Sequence, residues 1–194
     1  MKNKLTTKQL CVGGLMLAIS IASMFFKNIN PLISGPIVNL CLMITTLSCG
    51  IYLGILLSVI TPVASFLITG SPIIAAVPTI MIFIGLGNII LVLFTGLGSK
   101  LAGKLLHDKK MDRRLKSVIT LAPSLAVGSL VKFFFMTATI VRWILPTFGT
   151  SLNEKLISKA SYMFSGLQLI TALIAAAACC IIWPLILPAL EKQQ

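Results

Sequence analysis

IIAAVPTIMIFIGLGNIILVLFTGLG, the stretch Ile73–Gly98, contains no charged side chain. It exceeds the roughly 18 apolar residues that read as a membrane-spanning helix. No water competes for backbone hydrogen bonds inside a bilayer, so such a stretch must satisfy its own N–H and C=O groups, and a helix does this. Outward from this stretch, the Pro, Gly and polar residues divide the chain into six candidate helices at about 10–26, 32–49, 51–69, 73–98, 117–142 and 161–188. The links are Lys27–Pro31, the break at Cys49-Gly50, Thr69–Pro72, the charged stretch Lys100–Lys116, and Leu145–Ala160. The expected fold is an all-α membrane protein, a six-helix bundle forming one integral membrane domain over residues 1–194.

Composition agrees. The chain has 194 residues, 57% hydrophobic and 10% charged, with a mean hydropathy of +1.04. A soluble domain is roughly a quarter charged, so a water-soluble globule is excluded. The formal charge of +12 would suggest nucleic acid in a soluble protein; in a membrane protein basic residues gather on cytoplasmic loops, and no nucleic-acid partner is expected. Eleven Lys and Arg lie at the N-terminus, in 100–116 and at Lys192, against Lys27, Arg142, Lys155 and Lys159 on the other side. The positive-inside rule then puts both termini and the 100–116 loop in the cytoplasm, as an even number of crossings requires. Lys2, Lys4 and Lys8 precede Leu10–Phe26 in the manner of a signal peptide. That stretch is long for a signal core, however, and Ile21-Ala22-Ser23 is a poor cleavage site, so it reads as the first membrane helix.

Groups that carry covalent chemistry are scarce, and no enzyme activity is expected. The acids are Asp108, Asp112, Glu154 and Glu191, none inside a predicted span, and the only His is His107. HExxH sites, intramembrane Asp pairs and carboxylate proton relays cannot be built from these. Gly98-Ser-Lys-Leu-Ala-Gly103-Lys104-Leu105 fits GxxxxGK but has Leu where Ser or Thr would bind magnesium, and no strand precedes it. Its Lys100 and Lys104, with Lys109, Lys110, Arg113, Arg114 and Lys116, are read as setting topology and meeting anionic lipid headgroups. Cys11, Cys41, Cys49, Cys179 and Cys180 show neither CxxC nor metal-ligand spacing. They read as small packing residues, so neither metal nor cofactor is expected. Tyr52, Trp143, Tyr162 and Trp183 lie near predicted helix ends, as interfacial aromatics do.

Two patterns remain. Gly14, Ala18 and Ala22 make a smooth stripe on the first helix, suited to close helix contact either inside the bundle or with a partner, and Gly50-x-x-x-Gly54 does the same in the third. Polar residues within spans are costly in lipid and need a partner or a wet cavity. They are Asn39, Asn88, Lys132 and Gln168. Counted at ~1.5 Å per residue from the outer helix ends, Lys132 lies about 15 Å deep and Gln168 and Asn39 about 10 Å deep, with Asn88 near mid-membrane. Helical phase places Thr139 and Trp143 on the stripe of Lys132, with Arg142 a quarter turn away. The expected substrate-binding set is therefore Lys132, Thr139, Trp143, Arg142, Asn39, Gln168 and Asn88. Snorkelling of Lys132 and interhelical hydrogen bonds from the amides are the structural alternatives.

The chain resembles the substrate-binding S-components of energy-coupling factor (ECF) vitamin transporters. The resemblance covers its whole length in size, six spans and the Thr6-Thr7-Lys8-Gln9 opening. It is carried by Ala18-x-x-x-Ala22 and by Gly35-Pro36-Ile37-Val38-Asn39, Gly54, Thr61-Pro62, Pro78 and Gly87-Asn88. It implies a subunit of an ABC-type importer in a bacterial plasma membrane, capturing a vitamin or related micronutrient from outside. That subunit would then dock on a transmembrane coupling subunit driven by two cytoplasmic ATPases. It also implies that Gly14, Ala18 and Ala22 form the docking face, and that the ligand lies under Lys27–Pro36, Thr69–Pro72 and Leu145–Ala160. Lys132 and Arg142, with no intramembrane acid, point to an anionic or neutral ligand. The competing class is a stand-alone secondary carrier or channel for a small organic solute. Against it, the two halves of the chain differ in charge, and no broken segments recur at matching places.

Overall fold

Thr6 opens the first helix. Its hydroxyl accepts from the Gln9 backbone N–H at 3.3 Å while the Gln9 side chain accepts from the Thr6 N–H at 3.1 Å, a reciprocal cap for two otherwise orphaned donors. The computed structural model describes residues 6–27, 29–105, 113–150 and 152–191. They form α1 (Thr7–Met24), α2 (Pro31–Cys49), α3 (Ile51–Thr69), α4 (Pro72–Ala76), α5 (Thr79–Leu105), α6 (Arg113–Met136), a π-helical segment (Thr137–Ile144), α7 (Leu145–Phe148), α8 (Glu154–Phe164) and α9 (Gly166–Glu191). Among the described residues, six segments are long and apolar enough to cross a membrane: Thr7–Met24, Pro31–Cys49, Ile51–Thr69, Thr79–Leu101, Val118–Phe148 and Glu154–Pro188. This is the expected all-helical bundle.

Local chemistry sets the ends. Asn30 caps α2 by accepting from the Leu32 N–H at 2.9 Å, with Pro31 in the first turn. Gly50 takes φ +96° and is the single residue between α2 and α3; Gly70 at φ +57° ends α3. Three expected spans are subdivided. Pro78 keeps Val77 out of the helical region (φ −133°, ψ 78°), so residues 73–98 divide between α4 and α5. The span expected at 117–142 begins at Arg113 and passes into the π-helical turns of 137–144. The expected 145–160 link is mostly helical. Asn153 caps α8 by accepting from the Leu156 N–H at 2.9 Å, and Ser165 (φ −115°, ψ −102°) breaks the chain before α9.

α2 packs against α1, α3, α5 and α9, and α5 against α3 and α6. One buried cluster joins Met43, Leu91, Leu121, Leu125, Ala175, Cys179 and Trp183. Trp183 thus belongs to the core rather than to an interfacial belt, whereas Tyr52, Trp143 and Tyr162 are exposed. Cys41, Cys49 and Cys179 are buried, Cys180 is half-buried and Cys11 is exposed, so Cys11 does not pack in the core. A second cluster joins α4 and the start of α5 to the π-helical segment and α8 through Ile73, Ile74, Ile80, Met136, Ile140, Ile144, Ala160 and Phe164. Gly54 serves internal contact: a Cβ there would meet the Thr46 hydroxyl and lie 2.8 Å from Val92 Cγ1.

α1 sits differently. It buries Gly13, Ser20, Ser23 and Met24, while Gly14, Ala18 and Ala22 are exposed on its outward face and a Cβ at Gly14 would meet nothing within 4 Å. The stripe is not used for packing inside the bundle. Residues 98–105 continue α5 as regular helix, so their N–H groups do not form a phosphate cradle. His107, Asp108, Lys109, Lys110 and Asp112 lie outside the described residues, as does Lys192.

Candidate functional site

Lys132 stands on α6 one turn before the π-helical segment and is 2% exposed. Its ammonium donates to Asn39 Oδ1 of α2 at 2.7 Å and to Asn88 Oδ1 of α5 at 2.8 Å. The Asn88 amide nitrogen in turn donates to Thr61 Oγ1 of α3 at 3.5 Å. Four helices are thereby tied to one charge. Gly87 makes room for it, since a Cβ there would lie 3.0 Å from Met136 Cγ and 3.7 Å from Lys132 Cγ. A charge taken out of water must find strong dipoles or an opposite charge. Here the partners are neutral amide oxygens.

The cluster borders a cavity of about 400 Å³. Asn39, Asn88 and Lys132 line its deep part, Thr61, Ser65, Gln168 and Thr171 its walls, and Lys27 and Lys159 its margin. Ser71 and Pro72 from the α3–α4 connection and Leu156, Met163 and Phe164 from α8 complete it. The cavity therefore lies at the end of the bundle where three connections meet. Lys27, in the α1–α2 connection, donates to Ser65 Oγ at 2.6 Å, and its burial lowers the lysine pKa from the ordinary value. No Asp or Glu lines the cavity among the described residues. None of their His, Cys, Asp and Glu side chains group in threes that could hold a metal. The arrangement offers charge-assisted hydrogen bonds to an anion, in a site of ligand-pocket size lined on its α8 side by apolar Leu156, Met163 and Phe164.

Asn39, Asn88, Lys132 and Gln168 thus share one cavity, and the first three are in direct contact. Thr139, Arg142 and Trp143 do not line it. Thr139 donates to the Phe135 carbonyl at 2.6 Å; Arg142 is exposed. Trp143 is 54% exposed, its ring edge-on to Phe83 at 6.0 Å. The stripe through Lys132 assumed unbroken α-helical phase, but the i→i+5 bonding of 137–144 widens the turns and carries these side chains away. Sequence reasoning did not assign Thr61 or Ser65 to the site, and it reached Lys27 and Lys159 only as parts of the segments that the resemblance places over the ligand. The hydroxyls at 61, 65 and 69, spaced four apart on one helix face, were the available signal. Compared with known proteins, the chain matches no family model, and no curated protein or solved structure matches it.

Proposed function

We propose that this chain is the membrane substrate-binding subunit, the S-component, of an ECF-type importer. In this role it takes a vitamin-like micronutrient, anionic or neutral, from outside the cell and delivers it by docking on a coupling subunit driven by two ATPases. The observation that carries the reading is a buried ammonium held, among the described residues, by neutral amide oxygens alone, beside a cavity of about 400 Å³ at one end of the bundle. A structural role alone would be served at lower cost by an apolar residue. The eleven-to-four charge split supports a cytoplasmic location for both termini, which turns the cavity end outward. The exposed Gly14, Ala18 and Ala22 leave a smooth helix face for the coupling subunit. Purified and reconstituted alone, the protein should bind a small molecule without accumulating it, and uptake should appear only with the ATPase-driven subunits. Gradient-driven accumulation by the lone protein would replace this reading with a secondary carrier.

A further inference from the structure

The cavity carries more than one cation. Besides Lys132, Lys27 and Lys159 line it, and no acid among the described residues offsets them. Two of the three are tied, Lys27 directly and Lys132 through Asn88 of α5, to hydroxyls that step along α3. Lys27 Nζ bonds Ser65 Oγ; Lys132 Nζ bonds Asn88, whose amide reaches Thr61 Oγ1. Thr61 and Ser65 are four residues apart on one helix face, a separation of ~6 Å along the axis. The two ammonium groups are therefore fixed at different depths, Lys132 deeper and Lys27 nearer the connection, and Lys159 of α8 also lines the cavity, from an exposed position. Neither buried ammonium has an acidic partner among the described residues that line the cavity. A single compact anion at one lysine leaves the other uncompensated.

We infer that the ligand is an organic anion with two separated acidic groups, one received by Lys132 with Asn39 and Asn88, the other by Lys27 and Lys159. This rests on the reading that the cavity is a substrate site, and specifies its substrate class. Lysine suits both carboxylate and phosphate as a point charge, and the test separates them.

The full chain in detergent is titrated with straight-chain α,ω-dicarboxylates of four to eight carbons, the matched monocarboxylates, and inorganic phosphate, with thermal unfolding as the readout. Dicarboxylates should bind at least about tenfold more tightly than matched monocarboxylates, with an optimum chain length. That advantage should vanish in Lys27→Met, which lies outside the spans and leaves the Lys132 cluster intact. Lys132→Met should weaken both classes. Equal binding of mono- and dicarboxylates, a dicarboxylate advantage that survives Lys27→Met, or no binding of either class overturns the inference. Phosphate binding as tight as the best dicarboxylate, and indifferent to Lys27→Met, marks a single-anion site and overturns it as well. Mass spectrometry of the molecule released from purified protein separates the two levels. A neutral or singly charged ligand defeats the two-anchor inference alone, whereas no stoichiometric ligand defeats the reading beneath it.

Discussion

Lys132 and its two asparagines are coupled unequally, and that inequality is measurable. An unpaired ammonium at this depth costs at least ~2.5 kcal/mol on insertion scales. Lys132→Met keeps the stem and removes the charge, so thermal stability should hold or rise. Asn39→Leu leaves the ammonium with one fewer acceptor and should cost about 1–3 kcal/mol. If Lys132→Met is instead the more damaging change to apo stability, the lysine is structural. Thr139→Val, Arg142→Gln and Trp143→Ala should leave affinity for the ligand within about twofold, because none of the three borders the cavity. A loss of tenfold or more in calorimetry would return the site to that wall. Lys27 sets a pH dependence. Its pKa is lowered by burial, and the other charged groups lining the cavity, Lys132 and Lys159, are also basic. An anion beside it raises the pKa again, so the complex holds more protons than the free protein. Affinity should fall as pH rises through the pKa of the free protein. Calorimetry in two buffers of different ionisation enthalpy should show proton uptake on binding, reduced in Lys27→Met. Depth and polarity made Lys132, Asn39 and Asn88 legible in the sequence, because a polar side chain in a span must find partners. Lys27 and Lys159 fall in segments that the resemblance places over the ligand but were not singled out as site residues, since a lysine in a connection reads first as a topology signal.

At the scale of elements, single turns separate expectation from structure. The six spans follow from apolar length, yet Val77-Pro78 divides the very stretch that decides the fold, and most of what reads as a loop is helical, as α7 and then α8. The signals of α8 are an Asn153-Glu154 start and apolar Leu156, Ala160 and Phe164 at four-residue spacing. Phase is the less secure inference: a π-helical segment cannot be read from residue types alone, and it displaced the expected Thr139–Trp143 wall. Two glycine-rich faces now predict opposite outcomes. Gly54→Ala meets Thr46 and Val92 and should lower stability by about 1–3 kcal/mol through overpacking. Ala18→Trp lies on the outward face of α1 and should leave folding and ligand affinity unchanged while, under the proposed function, abolishing co-purification of the proposed coupling subunit. If Ala18→Trp instead lowers stability and binding together, the face belongs to the bundle.

For the whole molecule, the proposed transport cycle depends on sidedness. Helix count and charge split were legible because lipid forces long apolar spans and insertion sorts Lys and Arg; the ligand's identity was not, because it depends on side chains that meet only after folding. In a background with the native cysteines replaced, a cysteine at 108 should label from the cytoplasm and one at 150 from outside. The reverse pattern would turn the cavity inward and remove the capture step. The central claim, that the Lys132 cavity holds a captured solute, is tested most directly by mass spectrometry of small molecules released from folded, purified wild-type and Lys132→Met protein. The wild type should release one acidic small molecule near one equivalent per chain, and Lys132→Met should release a small fraction of it. No stoichiometric molecule from the wild type, or equal amounts from both proteins, would contradict the account.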